Sequence, residues 1–261
     1  MQILARVNSY LWWEDSSYRN ALNQFDGYHA YPGKLSARYP KPPKCFVEYC
    51  HRAEHLEQLE AMLDGLKGSA VNKLIFANEA FLTNGKLRAT PLWQRYGDAY
   101  IADVYRVCRR MLPNVSLWIT DFRCRAPALW DSLRNYLADY RIRPDGIGIQ
   151  SHIQLGRSLP NGVVLRAYAE CIRWQAKRNA ESGYRTALSE VTVFPSKDGS
   201  GLSLGYNRIR GLADEIRADW MLYWSPTDLD SWNLVGKERI PCGLFTEQGR
   251  LKPNIVHPNG V

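Results

Sequence analysis

Short apolar runs alternate along this chain with longer stretches in which apolar residues recur every three to four positions. Leu74-Ile75-Phe76-Ala77 is an unbroken apolar run. That is the pattern of a strand covered on both faces, as in a parallel sheet. It closes on Asn78-Glu79. Before it, residues 52–66 place Leu56, Leu59, Met62, Leu63 and Leu66 on one helical face, and Gly68 ends that helix. After it, the spacing predicts a helix over 92–112, with Tyr96, Tyr100, Val104 and Val107 in one stripe and Pro113 as the stop. A strand at 115–120 runs to Asp121. A helix at 127–140 carries Leu129, Leu133 and Leu137. A strand at 146–149 ends in Gln150-Ser151-His152, and a helix over 163–182 closes at Gly183. Then come a strand at 185–190, a Gly/Ser-rich loop over 198–205, a helix over 206–217 and a last strand at 219–224. A loop through Asp228, Asp230 and Trp232 follows.

The front of the chain is less regular. Residues 2–12 read as a strand that leads into Trp12-Trp13-Glu14-Asp15. Residues 14–44 are polar and Tyr-rich, with no period, and end in Tyr39-Pro40-Lys41-Pro42-Pro43, which reads as a long loop. Cys45-Phe46-Val47-Glu48-Tyr49 is a further short strand candidate. Strands alternating with amphipathic helices imply a parallel sheet. Polar and aromatic residues at successive strand C-termini imply the mouth of a barrel. The expected fold class is therefore α/β, a TIM (β/α)8-type barrel formed as a single domain over residues 1–261. About six to seven βα units can be counted, too few to close eight strands.

Composition narrows the function. With 45% hydrophobic and 23% charged residues the chain is globular and core-forming. The net charge of +8 is spread along the sequence. It suits a generally basic surface or an acid-decorated polysaccharide. No nucleic-acid-binding module is present, so no nucleic-acid partner is expected. No 18-residue apolar run exists, so no membrane partner is expected either. Met1 to Arg6 reads as a strand and not as a signal peptide. None of the six cysteines forms a CxxC pair, which argues against zinc and thioredoxin chemistry. Cys45 and Cys50 are spaced for a local bridge or equally for two buried thiols. Nine Trp and 15 Tyr supply flat apolar faces, of the kind that stack on sugar rings or fill a core.

The chemistry sits at two strand ends. Thr186-Ala187-Leu188-Ser189-Glu190-Val191 repeats the form of the first run, apolar and closing on a glutamate. Either glutamate alone could be an ordinary strand-end charge. Together they suggest two carboxylates facing one pocket, which is what glycoside hydrolysis requires.

With those strand ends placed, the chain resembles the endo-β-1,4-xylanases of glycoside hydrolase family 10. Asn78-Glu79-Ala80-Phe81 is similar to the family's acid/base motif. Asp145-Gly146-Ile147-Gly148-Ile149-Gln150-Ser151-His152-Ile153 is close to its DGIGxQxH stretch, the most specific match. Leu188-Ser189-Glu190-Val191 resembles the nucleophile strand. Trp224, then Asp228, Asp230, Ser231 and Trp232, resemble its late Trp and Asp-x-x-Ser-Trp, and Gly243-Leu244-Phe245 through Lys252-Pro253 its closing segment. The resemblance covers roughly residues 70–254, with a weaker match over 4–13. The chain departs from the pattern at Thr192, where the family carries Asp. It departs again at Thr120-Asp121-Phe122, where the family carries Asn-Asp-Tyr. Val7-Asn8-Ser9-Tyr10-Leu11-Trp12-Trp13 lacks both family histidines. If it stands at their strand, the first two βα units precede residue 1. If residues 2–14 are instead the second strand, one unit is missing.

The resemblance implies a retaining double displacement on xylan, with Glu79 as acid/base and Glu190 as nucleophile. It implies that Asn78 hydrogen-bonds a sugar 2-hydroxyl and that His152 contacts the nucleophile. Gln150 would orient His152 or the substrate. Trp224 and Trp232 would wall the site, with Asn8 and Trp12 also binding substrate. No metal or organic cofactor is called for. The resemblance also implies an extracellular monomer. Two other readings stay open. One is another β-1,4-glycanase of the same barrel clan, against which the DGIGIQSH stretch argues. The other is a non-catalytic or truncated glycan-binding relative, which Thr192, Phe122 and the short front favour.

Overall fold

The computed structural model describes residues 4–6, 56–68, 71–82, 84–89, 91–121, 127–156, 159–196, 199–223, 234–235, 238–239, 242, 246 and 252–255. The chain divides into two compact units, Met1–Asp121 with Ala126–Gly146, and Phe122–Arg125 with Ile147–Val261.

In the first unit, β1 (Leu4–Arg6), β2 (Lys73–Asn78) and β3 (Ser116–Asp121) lie in that order. Both pairings are parallel. Every residue of β2 is buried, which is why its sequence shows no polar alternation. One residue of β2 is inserted between the pairs Ile75–Trp118 and Ala77–Ile119, a bulge just before Asn78-Glu79. Helix α1 (Leu56–Asp64) buries Leu59 and Leu63, and Leu66 is buried just beyond its end.

The single helix expected over 92–112 is two. Helix α2 (Pro91–Tyr96) ends at a 3-10 turn (Gly97–Ala99), and α3 (Tyr100–Met111) follows. The cause is Gly97, whose φ of +62° lies outside the helical region. The stripe of α3 is Tyr100, Ile101, Val104, Val107 and Cys108, all buried. Helix α4 (Pro127–Asp139) buries Leu129, Leu133 and Leu137 as the spacing anticipates.

The Asp145-Gly146 step has a structural reason. Asp145 Oδ2 accepts the Leu117 N–H at 2.7 Å and Arg109 Nη2 at 2.7 Å. One carboxylate thereby fastens α3 and the start of β3. At Gly146 a Cβ would stand 2.2–2.6 Å from three atoms of the Trp118 ring, so only glycine fits.

In the second unit the strand order is β4 (Gly146–Gln154), β5 (Arg185–Phe194) and β6 (Met221–Tyr223). β5 and β6 pair in parallel. Two strands run further than the sequence suggests. β4 continues to Gln154 and β5 to Phe194, because Ser151, Thr192 and Val193 are as buried as the residues before them. Helices α5 (Asn161–Glu181) and α6 (Leu202–Glu215) cover these strands. The core between them is built on Ile149, Ile172, Leu188, Val193, Tyr206 and Ile209. On α5, Asn179 is fully buried and donates to Thr186 Oγ1 at 3.0 Å and to the Ile147 carbonyl at 3.4 Å. That ties the helix to β4 and β5 with its polar atoms satisfied. A short antiparallel pair, β7 (Leu234–Val235) and β8 (Glu238–Arg239), comes last. The expected α/β fold of TIM-barrel type is the fold found, with six strands before the terminal hairpin among the described residues. The loop at 14–44 and the strand candidate at 45–49 lie outside the described residues.

Candidate active site

The first unit presents Asn78 and Glu79 where β2 ends. Asn78 is fully buried, and Thr120 Oγ1 donates to its Oδ1, which fixes the amide plane. Thr120 therefore has a task at this strand end, beside the Asn it supports. Glu79 follows with its backbone in the left-handed region, φ +50°. Its N–H donates to the Thr120 carbonyl at 2.9 Å, so the turn is pinned to β3. The side chain is only 11% exposed.

Arg88 meets Glu79 twice. Its Nε–H donates to the Glu79 carbonyl at 2.9 Å, and its Nη2 lies 3.7 Å from Glu79 Oε2. Arg88 is not among the candidate residues that the sequence offers. The signal was Asn84-Gly85, a turn dipeptide that folds the chain back on itself. Phe81 and Leu87 form a bridge across that turn.

The second unit presents Gln150, His152 and Glu190. Glu190 lies within β5 and not at its end, also with a left-handed backbone, φ +61°. The cause is visible in the pairing. Leu188 faces Met221 and Val191 faces Tyr223, so β5 carries an extra residue across the Glu190 position. Such bulges redirect a side chain at functional sites. Glu190 is 2% exposed, and Gln150 Nε2 donates to its Oε1 at 3.0 Å. His152 Nε2 lies 3.6 Å from its Oε2. Gln150 thus contacts the carboxylate directly, where the sequence left open whether it would orient His152 or the substrate. The His152 carbonyl accepts the hydroxyl of Tyr168 on α5, a contact with no signal in the sequence beyond a helix tyrosine. Thr192, fully buried, makes no hydrogen bond through its hydroxyl among the described residues.

A buried carboxylate bonded on one oxygen and flanked by an imidazole on the other is oriented and ready to act as a nucleophile or base. A second carboxylate at a strand end beside a guanidinium can exchange a proton with a bound group. Asn8, Trp12, Trp224 and Trp232 lie outside the described residues. Among the described residues no group of His, Cys, Asp and Glu could hold a metal ion.

Comparison with known proteins agrees with the fold. An endo-1,4-beta-xylanase of Agaricus bisporus is 32% identical over 187 residues, which is 67% of this chain and 50% of that one. The chain therefore spans about half the length of that relative. A GH10 endoxylanase retrieved from a sugarcane soil metagenome superposes with a TM-score of 0.64 at 17% identity, covering 76% of this chain and 66% of that one. Xylanase 10B of Thermotoga petrophila, solved with xylobiose, gives a TM-score of 0.60 at 20% identity, with coverages of 86% and 67%. The model of glycosyl hydrolase family 10 matches residues 54–255, and the chain belongs to that family.

Proposed function

We propose that the chain is a retaining endo-β-1,4-xylanase that cleaves xylan by double displacement. The observation that carries this reading is Glu190. It is a buried carboxylate on a bulged strand, held by Gln150 at 3.0 Å with His152 at 3.6 Å. A structural carboxylate has no need of a left-handed backbone, whereas active sites concentrate such strain.

In the first step Glu190 Oε2 attacks the anomeric carbon. The bond to the leaving sugar oxygen breaks, and that oxygen takes the proton of Glu79. In the second step Glu79 takes a proton from water. The resulting hydroxide displaces Glu190 from the anomeric carbon, and both carboxyls return to their starting states. Retention requires the two carboxyls about 5–5.5 Å apart. Asn78 Nδ2 is assigned to the sugar 2-hydroxyl. Gln150 keeps the attacking carboxylate aligned while its negative charge is spent. Trp224, Trp232, Asn8 and Trp12 are assigned to substrate on the family resemblance alone.

The test is release of reducing ends from xylan against cellulose, by this chain and by a version extended upstream. It is paired with trapping by a dinitrophenyl 2-fluoro-xylobioside. Xylan cleavage with a covalent adduct on Glu190 supports the reading. Release from cellulose in preference to xylan replaces it with another β-glycanase. A second reading, a non-catalytic glycan-binding relative, draws on Thr192, a buried hydroxyl without a hydrogen bond among the described residues, two positions after Glu190 on β5. It takes over if neither form is labelled while the folded chain still binds xylan.

A further inference from the structure

We infer that Arg88 is a positioning residue for Glu79, delivered by a hairpin built for that purpose. The inference rests on Glu79 being the proton donor.

Immediately after Glu79 the chain doubles back. The Leu82 N–H donates to the Lys86 carbonyl at 2.7 Å, and the Arg88 N–H to the Ala80 carbonyl at 2.9 Å. The turn depends on Gly85, which has φ +78°. A Cβ there would stand 2.3 Å from Ser132 Oγ on α4, so the tip is pressed onto that helix. The tip fixes where the far arm lies, and the far arm carries Arg88.

Arg88 then divides its guanidinium between two tasks. Nε–H holds the Glu79 carbonyl at 2.9 Å, on the residue whose backbone is left-handed. A left-handed glutamate needs such an external tie, since its own conformation disfavours it. Nη2 stands 3.7 Å from Glu79 Oε2. That is too long for a direct hydrogen bond but close enough to bias which way the carboxyl turns. Arg88 is 26% exposed, so the charge is not fully screened by solvent. Lysine cannot do both tasks, because only the planar fork offers two donors at a fixed separation. Arg88 touches no reacting atom in this scheme. It acts through Glu79.

Two measurements on the full chain test this, with Arg88→Gln and Arg88→Lys against the parent. The first is cleavage of a phenyl and a dinitrophenyl xylobioside. Misplacing a proton donor harms the poor leaving group most. Arg88→Gln is therefore expected to lose about tenfold to a hundredfold more turnover on the phenyl than on the dinitrophenyl substrate. Arg88→Lys falls between. A purely structural role would lower both substrates alike, and that result overturns the inference. The second is amide hydrogen exchange, which needs no activity. Arg88→Gln is expected to accelerate exchange at Leu82, Gly85 and residue 88 by about tenfold, with α3 and α4 unchanged. Unaltered exchange there overturns the inference. A parent that cleaves neither substrate refutes the enzymatic reading, and the exchange comparison then decides the role of Arg88 by itself.

Discussion

Replacing Gly146 by alanine tests how the DGIG stretch shapes the fold. The new methyl carbon would stand 2.2, 2.4 and 2.6 Å from Cζ3, Cη2 and Cε3 of Trp118. Ordinary contact begins near 3.4 Å, so something must move by about 3.4 − 2.2 = 1.2 Å. The indole cannot easily be the part that moves. It is fully buried, and its Nε1 donates to Ser116 Oγ at 2.9 Å. The backbone is held too, because the neighbouring Asp145 binds Leu117 and Arg109. Overpacking in a rigid core costs about 1–3 kcal/mol, and this site belongs at the upper end. For a chain of this size, about 3 kcal/mol lowers Tm by about 6–12 °C. Thermal unfolding followed by circular dichroism reads that directly. Trp118→Leu alone is expected to cost about 2–4 kcal/mol through the cavity it leaves. In the double variant the methyl enters that cavity. The two costs should therefore sum to at least about 1 kcal/mol more than the double variant shows. If Gly146→Ala melts within 2 °C of the parent, about 1 kcal/mol or less, the clash is not real. Strict additivity would show that the clash is relieved somewhere other than at Trp118.

Glu190→Ala is expected to abolish adduct formation and turnover on every substrate. Glu79→Ala should lose xylan cleavage but keep the first step on dinitrophenyl glycosides, with azide restoring its turnover; equal loss in both variants and no rescue would refute the division of roles. Asp145→Ala removes the acceptor of one backbone N–H and one guanidinium, at about 2–3 kcal/mol of unfolding free energy measured in urea, whereas Asp145→Asn keeps an oxygen for Leu117 and costs about half as much. Burial pushes the Cys108 thiol from 9.0 up to about 12. The folded chain therefore keeps a proton that the unfolded chain releases above pH 9, and stability falls as pH rises from 9 towards 12, by at most about 4 kcal/mol for a shift of 12 − 9 = 3. Cys108→Ala should flatten that alkaline loss without removing it, since burial also raises Tyr136 and Tyr223; an unchanged alkaline limb would refute the assignment.

Sequence reasoning succeeds where one force dominates. β2 and the stripe of α3 are legible because burial alone decides those residues. It stops short where burial and polarity part company. Ser151 and Thr192 look like the ends of strands, yet both lie inside them, buried among strand neighbours. Gly97 breaks a helix whose apolar spacing carries straight through it, because periodicity records side chains and not φ. At the candidate site the two glutamates and Gln150 are legible as motifs. Their backbone conformation is not, since a bulge is a property of pairing and leaves no mark on one strand's sequence. Tyr168 is invisible for a similar reason, since it acts from a helix on a strand that no local pattern pairs with it. Arg88 is marked only indirectly, by the Asn84-Gly85 turn that brings it back to Glu79.

The left-handed glutamates bear on the history of the chain. Among the described residues five non-glycine positions have positive φ, and Glu79 and Glu190 are two of them. Glycine would relieve each by about 1 kcal/mol. Drift in a lineage freed from catalysis would run downhill at both positions, towards glycine or asparagine. This chain carries glutamate at two places where the backbone alone favours glycine or asparagine, a strain of the kind that active sites concentrate. It follows that Glu190→Gly and Glu190→Ala, which lose the same Gln150 bond, should both be inactive, with the glycine variant about 1 kcal/mol the more stable of the two; equal stability in urea would show that the backbone there is unstrained.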